Sequence, residues 1–347
     1  MKAGRDVCIS IPRWKNLPEE INRLQKTGIN IKFNTDSSAM KKAFNRLLPS
    51  SLQSDNRYDG FEFLKSIRPD LVVINQGGNT GGIELMEYCM AEGLKFVTIS
   101  QAANEAKWPD DKLSKRLSEA FPSAVVNYFV SRANLFLTEM EIGQSIVNSK
   151  IIFNPFNVGY DEVIEYPAVK NFYCLANVSR HEVFAKGQDI LFRVLNEKKW
   201  RERNLAVRLY GKGEHTISIS KMIKFFDLKN VSVEGHINPS DIWRSNHALI
   251  LTSRYEGLPL ALVEAMLCRR LGIVTGVSGN PEIIVDNENG FLAEAAAPDA
   301  VDEAMERAWQ RRESWKEIGE AAGSYIRKII PADPVEFFFE ELNNLEF

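Results

Sequence analysis

The chain is short of the residues that build metal sites and disulfide frameworks. Its four cysteines, Cys8, Cys89, Cys174 and Cys268, are far apart among 347 residues and form no C-x-x-C pair. That spacing argues against a zinc ribbon or a disulfide scaffold and fits reduced, buried thiols in a cytoplasmic protein. Histidine is as sparse: His181, His215, His236 and His247 share no metal-ligand spacing, so no metal is expected. No run approaches the roughly 18 apolar residues that cross a bilayer, and no signal peptide is visible. No G-x-G-x-x-G follows a strand with an acidic residue about 20 positions on, which disfavours a simple dehydrogenase.

Charge is nearly balanced, 43 basic against 46 acidic residues, a net −3 that gives no case for nucleic acid. Its distribution is uneven. Residues 1–68 hold 13 Lys/Arg and 7 Asp/Glu, and the part after residue 165 holds 23 and 26. The basic first segment suits a weak peripheral contact with an anionic membrane face; an ordinary solvated face is the plainer alternative.

What is present is alternation. Apolar runs DVCISI, NIKFN, DLVVINQ, KFVTISQ, VVNYFVS and SKIIFN are separated by amphipathic stretches up to about residue 155. A break follows at Asn154–Val169, rich in Pro, Gly and acidic residues. A second series then begins: FYCLANV, LAVRLYG, VSVEG, HALILTS, LGIVT and GFLAE, with helical segments between. Continuous apolar strands joined by helical crossovers indicate parallel sheets covered on both faces. The expected fold class is α/β, with two doubly wound Rossmann-like domains. The expected boundaries are 1–155 for the first domain, 156–169 for a linker, 170–330 for the second domain, and 331–347 for a terminal helix.

In the second series one stretch stands out, Ser253–Arg270. A strand ends, the chain turns at Gly257, Leu258 and Pro259, and a helix follows. Proline suits the first helical position, so the N–H groups of Leu260 and Ala261 stand free at the entrance, an anion site. Glu256 and Glu264 lie eight residues apart, about 12 Å at helical rise, the scale of a sugar joined through a diphosphate to a ribose. A plain buried helix with Glu264 toward solvent reads the same way. Three more strand ends open toward the same place. Arg180 and Lys186 sit in the first; a guanidinium fork and a mobile ammonium suit a diphosphate. Gly211 and Gly213 follow the second strand, and Gly235 and His236 the third; both turns could admit a nucleotide base, and both could be ordinary turns.

Taken together, R-H-E-V-F-A-K-G at Arg180, L-Y-G-K-G-E at Leu209, V-E-G-H at Val233, E-G-L-P-L-A-L-V-E at Glu256 and G-N-P-E-I-I-V-D-N-E-N-G-F at Gly279 closely resemble glycosyltransferase family 4. That group comprises retaining enzymes of the two-Rossmann-domain GT-B architecture. The resemblance covers the second series and reaches back to F-V-S-R-A-N at Phe129 and F-N-P-F at Phe153. It implies transfer of a sugar from a nucleotide diphosphate sugar, with retained configuration and no required metal or other cofactor; UDP, GDP and ADP donors stay open. It implies that Arg180 and Lys186 bind the diphosphate and that Glu256 accepts from sugar hydroxyls. The Leu260 and Ala261 N–H groups would hold the distal phosphate, Glu264 the ribose, and the loops at Gly211 and Gly235 the base. The last helix would cross back to the first domain.

The resemblance also marks departures. Family members usually begin with a strand and a glycine-rich loop, whereas DVCISI is followed by PRWKNLP, so the first strand–loop unit is expected to be missing. The cluster holding Gly77 and Gly78 is an alternative acceptor-side contribution, and Gln101 stands where many members carry a histidine near the reacting sugar. The acceptor, whether glycan, lipid or small molecule, is not named by the sequence. Alternatives are a donor-binding but inactive or truncated relative and, with less support, a nucleotide-sugar epimerase.

Overall fold

The computed structural model describes residues 6–12, 19–34 and 59–345. The basic segment from Lys41 and most of the PRWKNLP loop therefore lie outside the described residues. The chain divides into two compact units, Met1–Val72 with Glu84–Lys95, and Val73–Ile83 with Phe96–Phe347. Strands β1 (Cys8–Pro12) and β2 (Asn30–Asn34) of the first unit form a parallel pair, Cys8 opposite Asn30.

A four-stranded sheet runs β3 (Val72–Gln76), β4 (Phe96–Ser100), β5 (Val126–Phe129), β6 (Ser149–Ile151) in that order. Strands β4 to β6 pair in parallel. The second unit also holds a six-stranded sheet made from β7 (Tyr173–Val178), β8 (Leu205–Tyr210), β9 (Val231–Gly235), β10 (Ala248–Leu251), β11 (Leu271–Thr275) and β12 (Gly290–Ala293). Its order is β12-β11-β10-β7-β8-β9 and its ladders are parallel. The chain winds outward from β7 through β8 to β9, then returns to the other side of β7 as β10. Strand order thus reverses between β7 and β10, and sheets of this kind take ligands beyond the carboxyl ends at such a point.

The alternation of side chains explains the unbroken apolar strands. Leu175, Ile250 and Ile273 enter one core with the helices Gln188–Leu195 and Pro298–Gln310, while Ala176, Leu249 and Val274 enter the other with Leu260–Leu267. Both faces are covered, so no residue of β10 or β11 can be polar toward water. Each buried Leu or Ile contributes roughly 1.5–3 kcal/mol.

The final helix, Pro334–Asn343, begins at Asp333, whose carboxylate accepts from the Val335 and Glu336 N–H groups. It packs on the four-stranded sheet: the Phe338 ring meets Tyr128 of β5 edge-on at 5.2 Å, and Lys150 of β6 pairs with Glu341 at 2.5 Å. Among the described residues no helix is long and apolar enough to cross a membrane.

Candidate donor site

The site grows from the carboxyl ends of β7 and β10. After β7 the chain makes a short helix, Val183–Lys186, capped by the Glu182 carboxylate and closed by Gly187 in the left-handed region, φ 63°. A Cβ on Gly187 would lie 1.9 Å from the Thr252 carbonyl oxygen, so glycine alone lets this loop lie on the end of β10. That approach brings Lys186 to Glu256. The Lys186 ammonium donates to both carboxylate oxygens, 2.6 and 2.7 Å, and the Ser253 hydroxyl donates to one of them at 2.7 Å. The Glu256 N–H donates to the Ser278 hydroxyl at 3.0 Å. Both charges are largely buried, 15% and 8% exposed, so a closely paired geometry is required for them to persist there.

Arg180 lies in the same loop, exposed, and its guanidinium carries no hydrogen bond or ion pair among the described residues. The site therefore holds one cation engaged and one free. An ammonium has three donors; Lys186 gives two to Glu256 and keeps one.

The helix beyond Glu256 starts one residue later than expected. Pro259 is the residue before the first turn, extended at ψ 120°, and the helix is Leu260–Leu267. Glu256 to Pro259 are outside it, so helical rise does not measure the Glu256–Glu264 separation. The N–H groups of Leu260 and Ala261 nevertheless remain without a hydrogen bond among the described residues, because the first helical bonds come from Leu262 and Val263 to the Pro259 carbonyl. Glu264 faces inward at 4% exposed. Its Oε1 accepts from the Asn157 main-chain N–H and side-chain amide, both 2.9 Å. Burial pushes its carboxyl above the usual range, and the two Asn157 bonds oppose that shift.

The glycine turns have structural reasons of their own. A Cβ on Gly211 (φ 129°) would lie 2.1 Å from the Ser179 carbonyl oxygen, and one on Gly213 would lie 2.4 Å from that of His181. The loops after β7 and β8 are zipped by His181 N–H to Lys212 O and His215 N–H to His181 O, which leaves no room for side chains. Gly235 (φ 77°) faces open space, and His236 is exposed beside it.

On the four-stranded sheet, Gln101 follows β4. Its amide donates to Asn75 at 3.1 Å and accepts from Asn154 at 2.7 Å, so both ends are occupied. Its carbonyl oxygen meets Gly257, where an added Cβ would stand 2.1 Å away. After β3, Gly77 has open space where a Cβ would go, and a Cβ on Gly78 would meet the Ala102 carbonyl oxygen at an ordinary 3.9 Å. The structure thus joins Gln101 to Gly257 directly, whereas no bond ties Gly77 or Gly78 to the Lys186–Glu256 pair among the described residues. The sequence did not reveal Ser253, Ser278 and Asn157, which hold the two glutamates. Only Ser253, one turn-length before Glu256, gave a local signal.

Three metal-capable groups also meet: Glu182, Glu214 and His215 place ligand atoms within 4.8 Å of one another, a cluster invisible in the histidine spacing. Two are already committed, the Glu182 carboxylate to the Ala185 N–H at 2.9 Å and His215 Nδ1 to the Val183 N–H at 3.3 Å.

The fold is of the GT-B kind, α/β with parallel ladders flanked by helices and, among the described residues, no closed barrel. Within it, residues 168–324 match the model of the family Glycosyl transferases group 1. The chain is similar to an uncharacterized glycosyltransferase of Methanocaldococcus jannaschii, 27% identical over 146 residues, 41% of this chain and 40% of that protein. It is also similar to the poly(ribitol-phosphate) alpha-N-acetylglucosaminyltransferase of Staphylococcus aureus, 29% identical over 178 residues, 48% of this chain and 36% of that protein. The matches span about two fifths of these relatives' lengths. Among solved structures, Anabaena HepE in complex with UDP and glucose superimposes with a TM-score of 0.74 at 14% identity, over 97% of this chain and 100% of that one.

Proposed function

We propose that the protein is a retaining glycosyltransferase that takes a sugar from a nucleotide diphosphate sugar, with UDP the nucleotide best supported, since Anabaena HepE is seen with UDP, with UDP and glucose, and with UDP-glucose. The observation that carries the reading is the convergence at the β7/β10 reversal of a free guanidinium, the Lys186–Glu256 pair and the open N–H groups of Leu260 and Ala261. Arg180 and the third Lys186 donor meet the diphosphate, and the helix entrance adds its partial positive charge. These groups stabilise the charge that develops on the departing diphosphate, so the reaction requires no metal. Glu256, held by Lys186 and Ser253, accepts from donor-sugar hydroxyls, and Glu264 from the ribose. Residues 170–330 form the donor domain, joined by the linker 156–169 to an acceptor domain, 1–155, that takes a glycan, lipid or small molecule. The enzyme acts in the cytoplasm.

The test is a panel of UDP, GDP and ADP read by thermal shift, with Arg180→Ala and Glu264→Ala beside the wild type. One nucleotide is expected to raise the melting temperature, and both variants to lose the effect. No shift from any of the three at millimolar concentration would refute the donor site.

A second reading keeps the donor site without efficient transfer. It is favoured by Gln101, whose amide is engaged at both ends where a histidine would stand near the sugar. Under it UDP binds, but release of UDP from UDP-sugars stays at the uncatalysed rate with every acceptor supplied.

A further inference from the structure

The buried carboxylate of Glu264 is met at one oxygen only. Asn157 supplies both donors, its main-chain N–H and its Nδ2, each 2.9 Å from Oε1. Oε2 accepts no hydrogen bond among the described residues. Asn157 belongs to neither a strand nor a helix; it lies in the segment between β6 and β7. That segment is fastened to the second sheet's helices just beyond it. The Tyr160 hydroxyl donates to the Arg327 carbonyl at 3.0 Å, the Arg327 guanidinium returns a bond to the Tyr160 carbonyl at 2.7 Å, and the buried Arg270 donates to the Glu165 carbonyl at 2.8 Å.

A carboxylate with one oxygen doubly donated is fixed in rotation and stabilised as the ion, while its other oxygen stays available. We propose that Asn157 is a positioning residue of the donor site, holding Glu264 by Oε1 so that Oε2 is presented to the vicinal hydroxyls of a nucleotide ribose. The inference rests on the donor-site reading above and adds to it that the linker completes the nucleotide pocket. One turn on from Glu264 stands the Cys268 thiol, pushed up to about 12 by burial and neutral throughout, with the charges of Arg270, Glu162 and Arg327 also acting on that thiol. The terminal phosphate of UDP titrates at about pH 6 for every variant alike, so the difference in pH response between variant and wild type reports on Glu264.

The experiment is UDP binding by calorimetry from pH 5.5 to 8.5 on the full chain, with melting temperature followed in parallel. Asn157→Asp is nearly the same size and puts a carboxylate where the amide donor stood. Its affinity for UDP is expected to fall about ten-fold near pH 8, as loss of a hydrogen bond to a charged group implies. It then recovers as pH falls, because a proton shared by Asp and Glu264 restores a donor to Oε1. The wild type has no such proton to share at position 157, so the ratio of variant to wild-type affinity rises as pH falls. Asn157→Ala, which serves if the first variant does not fold, weakens binding several-fold at pH 7 and moves the acid limb upward. Wild-type affinity and pH profile in both variants overturn the inference, as does a loss of stability with the profile unchanged. If Glu264→Ala leaves UDP binding intact, the donor-site reading fails and takes the inference with it.

Discussion

Replacing Gly257 by alanine adds a single methyl group at the join between the two sheets of the second unit. The Cβ would stand 2.1 Å from the Gln101 carbonyl oxygen and 2.6 Å from Val130 Cγ2, where an ordinary contact needs at least 3.4 Å. The carbonyl is main chain at the end of β4 and cannot swing aside, so the two loops must part by about 1.3 Å. Overpacking of this kind costs roughly 1–3 kcal/mol. The displacement falls on the residue after Glu256, whose bonds to Lys186 are 2.6 and 2.7 Å and cannot stretch that far. Gly257→Ala should therefore lower the melting temperature by several degrees and also weaken UDP binding. Gly77→Ala, with nothing within 4 Å of the new carbon, is the control and should be silent in stability, within about 0.5 kcal/mol. A Gly257→Ala protein with both melting temperature and UDP affinity at wild-type values would show that the close approach of Gly257 and Gln101 is not what holds the site.

The strands were legible because their chemistry is continuous. HALILT and LGIVT can only be buried on both faces, and they became β10 and β11. The alternation also carried the six strands of the second sheet, but not their order, since the return of β10 to the far side of β7 is a long-range choice. The short helix Val183–Lys186 escaped notice because four residues show no period. At the site, the motif residues Arg180, Lys186, Glu256 and Glu264 were found by type and spacing. Their partners were not, because Lys186 and Glu256 lie 70 positions apart and Glu264 and Asn157 lie 107 apart. Gly211 and Gly213 were open to two readings, ligand approach or ordinary turns, and the atoms nearest to them, as to Gly187, are main-chain carbonyls of neighbouring loops.

Two further expectations concern buried polar groups outside the site. Arg270, 1% exposed, pairs with no carboxylate among the described residues; it donates to the carbonyls of Asn246, Cys268, Glu165 and Trp243 and lies over the Tyr166 ring. Arg270→Ala leaves these carbonyls without a donor and should cost more than about 3 kcal/mol in urea unfolding, whereas a loss under 1 kcal/mol would mean that water replaces the guanidinium. His247 is buried, accepts from the Cys174 N–H through Nδ1 at 2.9 Å, and is pushed down to about 4 by burial first and by the Arg270 charge second. An unfolded histidine takes up its proton near pH 6.5 while the folded one resists until about 4, so the unfolded state binds more protons in that window. Stability should therefore be full above pH 6.5 and decline as pH falls toward 4, by on the order of 3 kcal/mol from this group. His247→Asn keeps an acceptor near the Cys174 N–H without the titration, so its unfolding free energy between pH 4.5 and 7 should be flatter than the wild type's. Parallel curves for the two proteins would show that His247 stays neutral in both states or charges in both, and would refute the assignment.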